Sequence, residues 1–177
     1  MNSREKILDG ALGLLRDGAS VSLESAAQRA GLTKPGLMHH FHTKEALMLA
    51  LVDHVADQWE RQFTERLPVP LTDASPRERV LAYLDWSLSG IVDSADLVML
   101  SDPRLRDALT ARREERLAPW IGSGSGQPAA ARAPLTAVRL LADGVWLADA
   151  TGILPVPDDE RDLIRALALR LLDGGDR

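Results

Sequence analysis

The chain has 177 residues, 45% hydrophobic and 27% charged, with four Trp, two Phe, one Tyr and no cysteine. That length suits one or two domains with a packed core, and the missing cysteine excludes disulfides, thiolate zinc sites and a Cys nucleophile. No apolar run approaches the ~18 residues that span a bilayer, and a net charge of −5, taken whole, argues against nucleic-acid binding.

Helix signals dominate and strand signals are nearly absent. Ile7, Leu8, Ala11, Leu12, Leu14 and Leu15 follow helical spacing, with Ser3 as the expected N-cap and Gly18 as the stop. A second helix starts at Ser22 and carries Leu23, Ala26, Ala27 and Ala30 on one face, ending at Gly31. Thr33 caps a third, short helix with Pro35 in its first turn, and Leu37 and Phe41 are its inward anchors. Thr43 caps a long helix through Ala46, Leu47, Ala50, Leu51, Val55, Trp59 and Phe63, which stops before Pro68–Pro70. Ser75-Pro76-Arg77-Glu78 is a capping box that opens a helix through Val80, Leu84, Ser87 and Ile91. A short helical piece is expected over Ala95–Leu100, then a helix from Arg104 to about Trp120. Gly122–Pro128 has linker composition. Helices over about 129–150 and 158–172 complete an all-α reading of about nine helices.

Charge is unevenly spread. Residues 1–50 carry six basic and five acidic side chains, whereas the remaining 127 carry 15 and 21. A near-neutral head bearing His39, His40 and His42 on an acidic body points to two jobs in one chain. The charged start MNSREKILDG lacks a secretory apolar region, so a cytoplasmic location is expected.

Val21–Leu47 carries the chemistry. It reads as short helix, Gly31-Leu32-Thr33 turn, short helix, with Leu32 pointing inward: a helix-turn-helix. The second of these helices is too short to be stable alone and must be pinned by neighbours. That leaves Lys34, Pro35, Gly36, Met38, His39 and His40 facing solvent, a cation, a small residue and imidazoles suited to the major groove. Gly36 allows close approach to a sugar-phosphate backbone. Thr43 and Lys44 open the next helix, whose first N–H groups suit a phosphate.

This stretch resembles the tetracycline-repressor (TetR) family of bacterial transcription factors. The likeness covers roughly Arg4–Val52: ILDGALGLL, SLESAAQRAGLTKPGL, and HHF followed by TKEAL. A weaker likeness extends to length, helical content and VRLLADGVWLADATGI. The resemblance implies a homodimer, an N-terminal three-helix DNA-binding domain and a C-terminal domain for a small effector. We draw the boundary at 1–46 and 47–177. By position, Thr33, Lys34, Pro35, Gly36, Met38, His39, His40 and Lys44 match the family's DNA-contacting sites. Met38 stands where a phosphate-contacting Tyr is usual, and Gly36 where Ser, Thr or Ala is common; both remove a hydroxyl.

Other candidates have plainer readings. His39 and His40 point about 100° apart on a helix, so a shared metal ion is not expected. Trp59, Trp86, Trp120 and Trp146 read as core or as walls of a ligand cavity. Tyr83 with Trp86, and Asp143 with Trp146, are i, i+3 pairs. A carboxylate among rings suits a cation, so Tyr83, Trp86, Trp120, Asp143 and Trp146 are the effector-site candidates. Val138, Leu141, Val145, Leu163, Ala166, Leu167 and Leu171 pack either within the chain or against a second copy. No Gly-rich phosphate loop, GxSxG or HExxH is present, so neither an enzyme nor a cofactor is expected.

The expected partners are therefore a double-stranded DNA operator, a small hydrophobic effector, cationic ones included, and a second copy of the chain; no membrane is expected. An all-helical interaction adaptor or sensor that has lost DNA binding is the alternative from another class.

Overall fold

A computed structural model describes residues 2–122 and 128–174. Its described elements are α1 (Ser3–Arg16), α2 (Leu23–Arg29), α3 (Lys34–Met38), α4 (Lys44–Glu65), α5 (Pro76–Ser87), α6 (Arg106–Ile121), α7 (Ala129–Thr151) and α8 (Asp158–Leu172), with a 3-10 helix, η1, over Ser94–Leu100. Among the described residues there is no strand. The expected all-α class holds, and α8 has the expected bounds. The central part of the expected linker, residues 123–127, lies outside the described residues.

Caps explain where these helices begin. Ser22 accepts from the Ser25 N–H, Thr33 from the Gly36 N–H and Thr43 from the Ala46 N–H. The Ser75–Glu78 box is complete, and the Ser75 hydroxyl and N–H hold the Glu78 carboxyl below its ordinary pKa. One cap differs from expectation: Asn2, not Ser3, caps α1, because Glu5 sits three residues on and closes a box with the Asn2 N–H. η1 is 3-10 rather than α, with Leu97 breaking the helical dihedrals.

The chain divides into two compact units. The first combines residues 1–58 with 93–116, and the second combines 59–92 with 117–177. Helices α4 and α6 thus each contribute to both. In the first unit Ile7, Leu8, Ala11 and Leu12 of α1, Ala26 and Ala27 of α2, Leu37, Phe41, Leu47, Met48, Leu51 and Leu109 are buried. Each large aliphatic side chain there contributes roughly 1.5–3 kcal/mol by leaving water.

In the second unit Trp59, Phe63, Tyr83, Trp86 and Trp120 pack on one another at centroid separations of 5.1 to 5.9 Å. Val138 and Val145 are buried within the unit. Leu163, Leu167 and Leu171 on α8 are exposed, as are Leu140, Leu141 and Leu147 on α7.

Candidate nucleic-acid interface and effector site

The interface is built by pinning a five-residue helix. The Thr33 hydroxyl fixes the start of α3, Pro35 supplies a first-turn residue with no N–H to satisfy, and Leu37 is fully buried. The α2–α3 corner needs Gly31, which adopts φ +70. The Leu32 N–H then donates back to the Ala27 carbonyl. Leu32 itself is half-buried, and Phe41 is buried under the Arg4 guanidinium at 5.2 Å from its ring centre.

What remains outward is the expected set except for Gly36, which packs against its own cap. Thr33, Lys34, Pro35, Met38, His39, His40 and Lys44 are exposed, and Gly36 is half-buried. A Cβ at Gly36 would sit 3.2 Å from the Thr33 hydroxyl, so a side chain there presses on the cap. Among the described residues Lys34 has no carboxylate partner, and no group of three or more His, Cys, Asp or Glu is placed to hold a metal.

Lys44 differs from Lys34. Its ammonium lies 2.6 Å from the Asp102 carboxylate, while its own side chain stays 43% exposed. Asp102 is largely buried and also accepts the Arg104 N–H at 2.9 Å. The Lys44 hydrogen bond, then the Arg104 N–H, hold its carboxyl below the ordinary range. Residues 93–116 provide further partners within this unit. Arg16 pairs with Asp93, and Arg112 and Arg116 both reach Asp53. No sequence pattern pairs residues so far apart.

In the second unit, Tyr83, Trp86, Trp120 and Trp146 are all buried and Asp143 is half-buried. The Tyr83 hydroxyl donates to Asp143 at 2.8 Å, and Tyr83 stacks on Trp86. Arg139 also donates to Asp143, a contact missed in the sequence although its i, i+4 spacing is visible there. A small, shallow cleft, partly open to solvent, is lined by Pro76, Val80, Trp120, Leu135, Thr136 and Arg139 among others. Of the five effector-site candidates only Trp120 lines it. Tyr83, Trp86, Asp143 and Trp146 do not.

Comparison with known proteins fits this arrangement. Residues 7–51 match the profile of bacterial regulatory proteins of the tetR family, and residues 77–173 match the tetracyclin repressor-like C-terminal domain. No curated protein sequence matched closely enough to count as a relative. Among solved structures, the multidrug binding protein EbrR complexed with malachite green is 19% identical over 95% of this chain and 96% of its own, with a TM-score of 0.66. A TetR-family member from Streptomyces coelicolor A3 is also 19% identical, over 97% and 98%, with a TM-score of 0.65. NalD, the secondary repressor of the MexAB-OprM multidrug efflux pump in Pseudomonas aeruginosa, is 20% identical over 95% of each chain, with a TM-score of 0.62. At these identities the likeness concerns fold. The two profile matches together span the helix-turn-helix and most of the remaining helices, and on them the chain belongs to the TetR family of ligand-responsive, DNA-binding transcriptional regulators, which are not enzymes.

Proposed function

We propose that the chain is a repressor that binds a palindromic operator as a homodimer and is released by a small aromatic effector. Residues 1–46 read DNA and 47–177 hold the effector and dimer functions. The observation that carries the reading is α3, which buries Leu37 while leaving Lys34, Pro35, Met38, His39 and His40 exposed. A short helix held by neighbours with its polar face outward is what a major-groove reader requires. Lys34, His39 and His40 reach base edges or phosphates, and Met38 offers an apolar contact such as a thymine methyl. Thr33, Pro35 and the Gly36 backbone lie against the sugar-phosphate chain, and Lys44 meets a phosphate at the start of α4. Two heads then engage major grooves about 34–36 Å apart.

Selection from a randomised duplex pool tests this. A palindromic consensus is expected, and Lys34→Ala weakens binding to it by about 10- to 100-fold with helicity unchanged. Failure to enrich any sequence, or unchanged affinity in Lys34→Ala, overturns the reading.

The exposed leucines of α7 and α8 support a second copy as partner. Leu163, Leu167 and Leu171 repeat every four residues, and monomers rarely expose such stripes. Sedimentation at twice 19.3 kDa is expected, and a monomer at micromolar concentration overturns it.

For the effector, Asp143 lies beside the aromatic cluster with Arg139 as its resident cation. An aromatic cation replacing the Arg139 guanidinium would keep that carboxylate balanced. EbrR, bound in separate structures to malachite green and to ethidium, supports the choice of these dyes as probes. Quenching of Trp fluorescence by either dye, lost in Asp143→Asn, is expected; no response to either overturns the cationic reading. To act as a switch, effector and operator need a coupling of about 1–3 kcal/mol. The cytoplasm is the compartment this function requires, and among the described residues no helix is long and apolar enough to cross a membrane.

A further inference from the structure

Among the described residues Asp102 is the only charged residue that is buried as a whole, backbone and side chain together. Its carboxylate is divided between the Arg104 N–H, which fixes its own turn, and the Lys44 ammonium at 2.6 Å. At the other end of the same segment Asp93 caps η1 and pairs with Arg16 at 2.8 Å. Residues 93–102 are thus tied at both ends to cations of the first 50 residues.

The position of Lys44 makes this pairing informative. A lysine in the first turn of a helix faces the positive end of the helix dipole and is disfavoured unless an anion lies nearby. Asp102 supplies that anion here, and a DNA phosphate would supply the same charge at the same helix start. The two anions repel each other across one ammonium, and an ammonium that keeps its carboxylate brings no net charge to the phosphate. Lys44 remains exposed enough to be reached from solvent.

We infer that Asp102 competes with DNA phosphate for Lys44, so that operator affinity is set from the segment behind η1 as well as from α3. This rests on the reading that Lys44 meets a phosphate. Binding to DNA moves the ammonium off Asp102, and any change that draws residues 93–102 away from α4 strengthens binding by freeing Lys44.

The test uses full-length protein and a duplex selected from a random-sequence pool by the wild-type chain, followed by fluorescence anisotropy across a salt series. Asp102→Asn keeps an oxygen for the Arg104 N–H and removes only the charge. It is expected to bind about threefold to fivefold more tightly at 0.1 M salt. It should also steepen the slope of log affinity against log salt by up to about 0.9 for each chain bound, because in the wild type the carboxylate that Lys44 leaves takes back a cation and offsets the one released from the phosphate. Asp102→Ser, which also retains an oxygen for the turn, is expected to act in the same direction, and circular dichroism checks that both are folded. Lys44→Met is expected to weaken binding and to abolish the gain from Asp102→Asn in the double variant. If Lys44→Met binds as tightly as wild type, the phosphate role and the competition fall together. If Lys44→Met is weakened but folded Asp102→Asn and Asp102→Ser bind no more tightly than wild type, the competition alone is overturned.

Discussion

Six of the seven aromatic residues are in the second compact unit and all six are buried, whereas the first unit has only Phe41. The first unit packs small and aliphatic side chains instead of rings, and both units add caps and carboxylates that reach across the sequence, to Arg16, Lys44, Arg112 and Arg116 in the first and to Arg77, Arg161 and Arg165 in the second. Rings give area and stability; ion pairs and caps give placement. A short DNA-reading helix needs placement, and a ligand-binding body needs apolar surface that rearranges around a guest. Charge follows the same lesson. The net +1 of residues 1–50 disappears in the folded unit, which counts 11 basic against 13 acidic residues. Which cations keep their charge unpaired matters more than the sum.

Trp86→Ala, in the middle of the stacked rings, is expected to cost about 3–5 kcal/mol, the largest single loss, read by urea unfolding. Leu37→Ala is expected to cost about 2–4 kcal/mol and to abolish DNA binding, because it removes the anchor of α3. If Trp86→Ala costs no more than Leu37→Ala, the aromatic cluster is not what distinguishes the second unit. Leu163→Glu with Leu167→Glu should convert the proposed dimer to monomer while far-ultraviolet circular dichroism is retained. Thr33→Ala removes one cap, costing about 1 kcal/mol, but lowers DNA affinity by more than that stability loss accounts for.

The smallest effect is acid dependence at Asp102. Its folded pKa is lowered by Lys44 and the Arg104 N–H, below an unfolded value of about 3.9. The unfolded chain therefore binds the proton first. The stabilisation is complete above that unfolded value and is lost as pH falls through the folded one. Urea unfolding of wild type and Asp102→Asn should differ by a constant amount between about pH 5 and 8 and converge below about pH 4. A difference that persists at acid pH would show that the charge is not what Asp102 contributes.

Local signals made most of the fold legible. Ser22, Thr33, Thr43 and the Ser75–Glu78 box mark helix starts within three residues of themselves, and the structure uses each as a cap. The Asn2–Glu5 box was equally visible, and reading Ser3 instead overlooked the i, i+3 acid that decides between adjacent capping residues. The exposed residues of α3 followed from the burial of Leu37 and Phe41. The partners of Lys44 and Asp53 were not legible, since 58 and 59 residues separate each cation from its carboxylate and only the folded chain brings them together. For the second unit, apolar rings were identifiable but not which of them face open space. Trp120 borders the cleft while Tyr83 and Trp86 fill one another's surfaces.

Gly10 and Gly13 of α1 form a trough along which the Arg29 side chain of α2 lies, its guanidinium fixed to Asp17 at 2.6 Å. A methyl group at either glycine would stand 3.3 Å from that arginine, tighter than ordinary contact. The trough therefore acts as a spacer that sets the gauge between α1 and α2, and α3 inherits its tilt from both. At Gly13 only the flexible guanidinium has to give, whereas Gly10→Ala, whose methyl would meet the Arg29 Cγ at 3.3 Å and the Arg29–Ala30 backbone at 3.6 Å, is expected to widen the gauge by a few tenths of an ångström and to change DNA affinity from a residue outside the proposed interface.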